Sequence, residues 1–465
     1  MLSRRQLLLS SLAAPQTAPH TNLVVVFADD LGYGDLGCYG STTIRTPRLD
    51  RMAREGLRFT HFYAGAPFCS PSRAALLTGR YPIRAGVPNV LFPTEKTGLP
   101  PSEITIARLL KQQGYATACI GKWHLGDEHA FRAHRHGFDS FYGLPYSNDM
   151  FQVREGETFR AQHARQELPL RENDQTIEAP VNQHTLTQRY TDRAIAFIEQ
   201  NRNRPFFLYL PHTFPHSPQY ASPDFEGRSP HGFYADAVEE LDASTGRILD
   251  ALTRLKLARN TLVVFTSDNG PAPGRKGEPR WTGGSAGSLR GAKGNTYEGG
   301  MRVPAIFWQP GRIAAGKTVD TVASVMDLLP TAAQLARAPL PEGRVIDGQS
   351  LRDLLYSGTP MPERLFCYYF GGQLQAVRRG KWKLVLPIHE LPERPPSLWY
   401  QTMPELFARH YRLKKVPELY DVTTDIAERN NAAGEYGDVV RELTQAAARF
   451  DNELQGSKQP MVFVD

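Results

Sequence analysis

Runs of mostly apolar residues alternate along the first part of the chain with segments whose apolar residues recur at helical spacing. The apolar runs are six or seven residues long and lie at residues 22–28, 115–120, 205–210 and 261–266. Continuous apolar runs of this length are typical of strands that are buried on both faces of a parallel sheet. The helical segments lie at residues 46–54, 103–112, 186–199 and 234–255. Since strands and helices alternate, the sequence predicts an α/β fold in which helices flank a large, mostly parallel mixed sheet.

The pattern changes beyond residue 356, where shorter apolar runs predict antiparallel strands and a terminal amphipathic helix. The strands are expected at residues 365–370, 374–377, 382–386 and 418–421, and the helix at residues 436–454. We therefore divide the folded chain into a large domain, residues 21–355, and a smaller α+β domain, residues 356–465. Residues 151–183 are polar without a strong period, which indicates an excursion over the surface.

The composition is that of a water-soluble globular protein, with 41% hydrophobic and 22% charged residues. The formal net charge of +6 suits an anionic substrate. The basic residues are spread along the chain without a long basic run, so we expect no nucleic-acid partner.

The N-terminus predicts an export signal and no stable membrane span. Ser3-Arg4-Arg5-Gln6 precedes a short apolar run that ends at Ala14, a pattern that resembles a bacterial twin-arginine signal. The run is too short to cross a bilayer. We therefore expect residues 1–20 to be an export signal and the mature protein to be periplasmic or secreted.

Cysteine is sparse: the chain contains Cys38, Cys69, Cys119 and Cys367. So few cysteines exclude a dense disulfide framework, although one bridge among the three other than Cys69 stays open. The chain also lacks an Asn-x-Ser/Thr glycosylation site. Both features favour a bacterial protein over a heavily bridged, glycosylated lysosomal one.

Cys69 has an unusual setting for a lone cysteine, which is most often a buried and inert residue. It directly precedes Ser70-Pro71, and these two residues are typical of a helix start, with the serine as cap and the proline at the first helical position. The helix dipole would then attract an anion to Cys69, and Arg73 could reach back over the same place. The sequence thus predicts an oxyanion pocket with a cysteine at its floor.

Candidate catalytic groups follow each of the four predicted strands of the large domain. They are Asp29 and Asp30, then Lys122 and His124, then His216, and finally Asp268 and Asn269. In open α/β sheets, sites form outside the carboxyl ends of the strands, so we expect these groups to converge. Lys122 and His124 alternate along a segment predicted to be extended, which would turn both to one side.

Two pairs of adjacent Asp or Asn side chains predict a metal site. Asp29, Asp30, Asp268 and Asn269 offer oxygen ligands, which prefer Ca²⁺ or Mg²⁺ over zinc. Adjacent carboxylates without a cation would repel each other and raise one another's pKa. Taken singly, either pair would be better interpreted as residues that form a turn or cap a helix.

Three of these motifs together carry a family resemblance. Cys69-Ser70-Pro71-Ser72-Arg73 with the following Leu-Thr-Gly, Gly121-Lys122-Trp123-His124 and Ser267-Asp268-Asn269-Gly270 resemble the signatures of type I, formylglycine-dependent sulfatases. The likeness covers about residues 22–356, and more loosely the remainder, and is greatest to members similar to arylsulfatase A and N-acetylgalactosamine-6-sulfatase. It implies an alkaline phosphatase-like fold and hydrolysis of a sulfate ester on an aryl, sugar or glycan substrate.

The resemblance also implies how the nucleophile and the metal are supplied. In the family, a formylglycine-generating enzyme oxidises the cysteine that corresponds to Cys69 to an aldehyde, whose hydrate attacks sulfur. Calcium, with magnesium as an alternative, is then held by Asp29, Asp30, Asp268, Asn269 and the modified residue 69.

The remaining site residues are assigned roles by the same resemblance. His124 assists the elimination of sulfate, and Arg73, Lys122 and Lys293 neutralise its oxygens. His216 protonates the leaving group, and the more weakly matched Ser147 lies near the sulfate. His212, four residues before His216, is the alternative proton donor.

Two alternative functions remain open. A hydrolase of phosphonate or phosphate diesters shares the fold and even formylglycine, and a non-catalytic binder of sulfated polymers would retain an intact Cys69. His134 and His136 could suggest a transition-metal site, but the neighbouring sequence offers nothing that completes one.

Overall fold

An eleven-stranded mixed sheet forms the centre of the protein, and a separate four-stranded antiparallel sheet follows it in the chain. These elements are taken from a computed structural model, which describes residues 20–150, 167–275, 277–389 and 414–464. The strands of the described part are β1 Asn22–Ala28, β2 Leu57–Tyr63, β3 Thr97–Gly98, β4 Ala116–Ile120, β5 Ser140–Gly143, β6 Leu170–Glu172, β7 Gln175–Glu178, β8 Phe206–Pro211, β9 Thr261–Ser267, β10 Arg302–Trp308, β11 Lys317–Val319, β12 Ala323–Ser324, β13 Phe366–Phe370, β14 Gln373–Arg379, β15 Trp382–Val385, β16 Glu418–Asp421 and β17 Val462–Phe463.

Helices pack on both faces of the large sheet and beside the small one. Within the same residues they are α1 Pro47–Glu55, α2 Cys69–Thr78, α3 Ile106–Gln112, α4 Leu186–Gln200, α5 Phe233–Arg254, α6 Glu298–Met301, α7 Leu328–Leu335, α8 Arg352–Ser357 and α9 Gly437–Ser457. Strand β1 shows why helices are needed on both faces of the sheet, because its side chains alternate between two buried clusters. Val25 and Phe27 pack with α2, α3 and α7, whereas Val24 and Val26 pack with α4 and α5.

The strand order of the large sheet is β11-β2-β10-β9-β1-β8-β4-β5-β6-β7, with β12 beside β2. The central strands β9, β1, β8, β4 and β5 run parallel, while β10 is antiparallel to both of its neighbours. The predicted fold class is therefore confirmed. The four predicted strands are those at the centre, β9, β1, β8 and β4, so their carboxyl ends lie side by side.

Most predicted helix boundaries lie within one or two residues of the observed ones, but helix 103–112 was placed too early. It begins at Ile106, because the side chain of Thr105 accepts a hydrogen bond from the backbone N–H of Arg108 and caps the helix there. Strands β2 and β10, which pair antiparallel with each other, were missed. Residues 151–166 of the predicted surface excursion lie outside the described residues, and its remainder contains the hairpin of β6 and β7.

The small sheet has the order β13-β14-β15-β16, all antiparallel, and α9 packs on β14 and β15. All four predicted strands and the terminal helix of this part are therefore present.

The four cysteines are all free thiols in the structure. None of the described helices combines the length and apolar character needed to span a membrane.

Candidate active site

The site lies where the central parallel strands end. Asp29 and Asp30 follow β1, and Asp268 and Asn269 follow its neighbour β9. The backbone N–H of Asp30 donates to a carboxylate oxygen of Asp268 at 3.0 Å, and the amide of Asn269 donates to Asp30 at 2.7 Å. The two acidic pairs that are more than 200 residues apart in sequence thus form one buried cluster.

Cys69 is the first residue of α2, with Phe68 as the extended N-cap residue. The prediction that Ser70 caps this helix was wrong, since its hydroxyl instead accepts a hydrogen bond from the backbone N–H of Leu91 at 3.1 Å. The Cys69 thiol donates to Asp29 at 3.4 Å and accepts from the Lys293 ammonium at 3.4 Å. Burial, together with the negative charge of Asp29, raises the pKa of this thiol well above its ordinary value.

Arg73 lies one turn along α2 and is fully buried. Its guanidinium donates to Asp268 at 2.9 Å, lies 3.3 Å from Asp29, and donates to the backbone carbonyl of Lys122 at 2.9 Å. Burial and the neighbouring Asp29 raise the pKa of Asp268 to about 7. One arginine therefore ties the ends of three parallel strands to the helix that carries Cys69.

Two lysines complete the positive side of the site. The ammonium of Lys122 donates to Asp29 at 2.5 Å and to Ser147 at 3.1 Å, and that of Lys293 donates to Asp30 at 2.8 Å. Although burial opposes ionisation, Lys122 and its cationic neighbours hold the pKa of Asp29 well below its usual range. The carboxylates are thus each paired with a cation.

A glycine makes the position of Lys122 possible. Gly121 has a φ of +131°, and a Cβ at this position would lie 1.9 Å from the backbone oxygen of Pro211. The end of β4 can therefore approach the end of β8 closely enough for the N–H of Lys122 to donate to the same oxygen at 2.7 Å.

The acidic cluster fits a hard divalent cation. Its donors are the carboxylates of Asp29, Asp30 and Asp268 and the side-chain oxygen of Asn269, which is buried and without a hydrogen-bond partner. An unpaired buried oxygen is costly unless a ligand satisfies it. Ligating atoms of Asp29, Asp30, Cys69 and His216 also lie within 4.8 Å of one another. The predicted oxygen ligands are thus brought together, and His216 joins them.

His124 is buried at the same end of the sheet and has a fixed tautomer. Its Nε2 lies 3.0 Å from the backbone carbonyl of Leu91, and because a carbonyl only accepts, Nε2 carries the proton. Nδ1 is therefore left with a free lone pair, buried and without a partner. The expectation of an extended segment was wrong here, because His124 has a φ of +56°. Burial holds the pKa of His124 well below its ordinary value.

His216 contacts the acidic cluster from the segment after β8. Its Nε2 lies 3.6 Å from Asp30 and 3.4 Å from the hydroxyl of Ser147, while Nδ1 lies 3.0 Å from the side-chain oxygen of Asn148. Burial lowers the pKa of His216. The alternative, His212, instead lies beside Ser244, at 3.5 Å.

Sequence reasoning missed two side chains that support the histidines. Asn148 orients His216, and Ser70 holds the Leu91 backbone that in turn fixes His124. Both are direct neighbours of residues that were named, Ser147 and Cys69. A buried amide or hydroxyl beside a site residue is the signal that could have found them, since such groups require partners.

Comparison with known proteins shows to which family the chain belongs. The family model described as sulfatase matches residues 21–338, and that described as the C-terminal region of aryl-sulfatase matches residues 361–464. Mouse steryl-sulfatase is 38% identical, over 93% of this chain and 82% of its own length. Human arylsulfatase A is 40% identical, over 95% and 89%, and mouse N-acetylgalactosamine-6-sulfatase is 43% identical, over 81% and 73%.

Among solved structures, the PsFucS1 sulfatase from Pseudoalteromonas sp. superposes with a TM-score of 0.82 at 26% identity, over 95% of this chain and 92% of that one. The large sheet and the small C-terminal sheet therefore belong to one known architecture. Since the family model matches more than half of the chain and several relatives exceed 30% identity over most of it, the chain belongs to the sulfatases, which are sulfuric ester hydrolases.

Proposed function

We propose that this sulfatase hydrolyses a sulfate ester of an aryl, sugar or glycan substrate by means of a formylglycine made from Cys69 and a bound calcium ion. The observation that carries the proposal is the setting of Cys69. Its thiol lies at the first turn of a buried helix, in contact with a carboxylate of the acidic cluster and with the Lys293 ammonium. A cysteine with only a packing role would not need contacts with both a carboxylate and an ammonium group.

The charge of the site supports a divalent cation and a sulfate group. Its three carboxylates and three side-chain cations are Asp29, Asp30 and Asp268, and Arg73, Lys122 and Lys293. These charges cancel formally, so a divalent ion leaves the site with two positive charges. That excess favours an anionic ester and the negative charge that grows on its oxygens in the transition state.

Formylglycine supplies a hydrated aldehyde as the nucleophile, and calcium, held by Asp29, Asp30, Asp268 and Asn269 with residue 69, supplies positive charge beside it. Magnesium is the alternative ion. The ordinary thiol of Cys69, with its raised pKa, is a poor nucleophile, which supports a need for modification. A formylglycine-generating enzyme is therefore the proposed partner during maturation.

The two histidines divide the proton transfers. His216 donates a proton from Nε2 to the leaving oxygen. Because its Nδ1 already donates to Asn148, this step uses the doubly protonated imidazolium, which Asp30 favours from 3.6 Å away. His124 accepts a proton at Nδ1, the nitrogen that its hydrogen bond to Leu91 leaves free. Ser147 and the cations bind the sulfate oxygens.

Export and domain organisation complete the proposal. Residues 1–19 of the expected twin-arginine signal, residues 1–20, lie outside the described residues. We propose that the signal directs a bacterial protein to the periplasm or to secretion. We also propose that residues 21–355 form the catalytic domain and that residues 356–465 form the smaller domain.

Peptide mass spectrometry across Cys69 tests the proposal, on protein from a host that modifies a control sulfatase. We expect a mass that matches an aldehyde in place of the thiol, together with release of sulfate from an aryl sulfate. Hydrolysis of an aryl phosphodiester in clear preference to the sulfate would instead favour the phosphonate or phosphate diester hydrolase. An intact Cys69 with affinity for sulfated polymers and no turnover would favour the non-catalytic binder.

A further inference from the structure

A second cluster of metal-ligating side chains lies at the protein surface. It contains His129 and His134, which belong to two consecutive 3₁₀ turns, His129–Phe131 and Ala133–His136. Its third member is Asp174, in the two-residue connection between β6 and β7. The cluster therefore joins two separate parts of the fold.

The three side chains converge on one carboxylate oxygen. Nε2 of His134 lies 3.5 Å and Nε2 of His129 lies 4.0 Å from Oδ2 of Asp174, and one potential ligating atom from each residue lies within 4.8 Å of the others. Two ligands of a tetrahedral zinc ion, each about 2.0–2.1 Å from the metal, are about 3.3 Å apart. Small rotations of partly exposed side chains are enough to reach that spacing.

We propose that His129, His134 and Asp174 bind a divalent transition-metal ion such as zinc. Two imidazoles and one carboxylate are ligands that zinc accepts, and water can fill the remaining position at an exposed site. Nδ1 of His134 is buried, which leaves Nε2 as the nitrogen available to a metal.

Two arginines lie against the cluster and limit its affinity. Arg132 donates to Oδ1 of Asp174 at 2.7 Å, which leaves Oδ2 facing the histidines. A terminal nitrogen of Arg135 lies 2.9 Å from Nε2 of His129 and must move aside when a metal binds. The competing interpretation is therefore a surface ion cluster with no metal.

In the sequence, His134 forms a His-x-His pair with His136, but nothing nearby completes a metal site around that pair. His136 is buried and stacks on Trp123 with ring centroids 5.6 Å apart, so it takes no part in the cluster. The indole N–H of Trp123 also donates to the carbonyl of Phe131 at 2.8 Å. The turns that carry His129 and His134 thus support Trp123, the residue between Lys122 and His124. The bound metal connects these turns to the hairpin of β6 and β7.

Zinc titration by calorimetry tests the site, with the full chain kept in excess calcium so that the acidic cluster at the strand ends is occupied. We expect the wild-type protein to bind one more equivalent of zinc than His134→Ala and Asp174→Asn, and zinc to raise its melting temperature. His231→Ala, which removes an exposed histidine elsewhere, is the matched control and should bind as the wild type does.

Circular dichroism without zinc checks that both variants fold, and two different ligands are changed so that one misfolded variant does not decide the result. Equal zinc stoichiometry and equal thermal shifts in the wild type and in both variants would overturn the proposal in favour of the surface ion cluster. A loss of one equivalent in His231→Ala as well would also overturn it, because the effect would then not depend on this cluster.

Discussion

Nδ1 of His216 lies 3.0 Å from the side-chain oxygen of Asn148, and the amide nitrogen of Asn148 donates in turn to Gln183 at 2.9 Å and to the carbonyl of Pro218 at 3.0 Å. The amide is thus held in one orientation, and its oxygen faces the ring. Because that oxygen accepts, Nδ1 of His216 carries a proton, and Nε2 is the nitrogen that faces the acidic cluster.

Asn148→Ala is therefore expected to slow turnover by about tenfold to a hundredfold, because His216 loses its orientation but not its chemistry. The loss should depend on the leaving group. The nitrophenolate of a nitrophenyl sulfate leaves easily without a proton, whereas the alkoxide of a sugar sulfate requires one, so hydrolysis of the sugar sulfate should be slowed more. Steady-state rates with both substrates measure the difference.

Asn201→Ala is the control for this comparison, since it removes a buried amide at the end of α4, away from the strand ends. It should leave both rates close to those of the wild type. Equal slowing of the two substrates by Asn148→Ala would contradict a role in proton donation and indicate a merely structural residue.

Cys69→Ala should abolish turnover while the protein still binds calcium. The acidic cluster keeps its oxygen donors in this variant, and the small side chain fills a position at the start of a well-packed helix. We expect the calcium-dependent rise in melting temperature to fall only in part, whereas the rate falls to the uncatalysed value. Thermal unfolding with calcium and with a chelator, together with an aryl sulfate assay, measures both.

Cys119→Ala is the matched control, because Cys119 is an equally buried thiol in β4. It should lose some stability through the missing sulfur atom but retain turnover. Normal turnover by Cys69→Ala would exclude the proposed nucleophile.

The sequence could predict the convergence of the site but not its supporting contacts. Parallel strands must end at one edge of a sheet, so the groups after β1, β4, β8 and β9 had to meet there once the strands were recognised. The partner of a side chain follows from no such rule. Ser70 was expected to cap its own helix, yet it holds Leu91, because the chain brings that backbone N–H to its hydroxyl.

The missed strands have a similar explanation. β2 and β10 extend the sheet in mixed directions, and β10 runs antiparallel to β9 and β2. The residues of β2 alternate between buried and partly exposed over its first half, so this strand lacks the continuous apolar run by which the central strands were found. β10 is buried along its whole length, but Pro304 interrupts it where its pairing with β2 shifts register, and a proline within an apolar run argues against a strand.

A buried ion cluster joins the small sheet to the segment that follows Lys293. The ammonium of Lys383, in β15, lies 3.0 Å from Glu298 and 2.9 Å from Glu428, and it donates to the carbonyl of Thr296 at 2.9 Å. Lys383→Met should lower the free energy of unfolding by about 3–5 kcal/mol, since two buried carboxylates lose a shared partner. Urea denaturation measures this loss.

The second variant of this series is Lys383→Met with Glu428→Gln, which should recover part of the lost stability because one uncompensated charge is removed. Lys381→Met is the matched control: Lys381 is 52% exposed and pairs with Asp421 at 3.0 Å. A change of at most about 1 kcal/mol is expected there. An equally small loss in Lys383→Met would show that the buried cluster contributes little to stability.

Asp242 connects α5 to the start of α1 and should make stability depend on pH. Its carboxylate accepts hydrogen bonds from the backbone N–H groups of Leu49 at 2.7 Å and Arg48 at 3.2 Å, and burial raises its pKa to about 7. In the unfolded chain the pKa is near its ordinary value of about 3.9. Between these values the folded protein binds a proton that the unfolded chain releases, so the free energy of unfolding falls as pH rises through this window.

Asp242→Asn removes that titration and keeps an oxygen that accepts from Leu49. From pH 5 to pH 7, the wild type should therefore lose about 2 kcal/mol more of its free energy of unfolding than the variant does, and the difference should stay constant above pH 8. Urea denaturation at several pH values measures it, with Asp250→Asn as the control, since Asp250 lies on the same helix and its side chain is 50% exposed. Parallel pH profiles for the wild type and Asp242→Asn would mean that Asp242 is ionised in the folded protein throughout, because only a proton held in the folded state produces the slope.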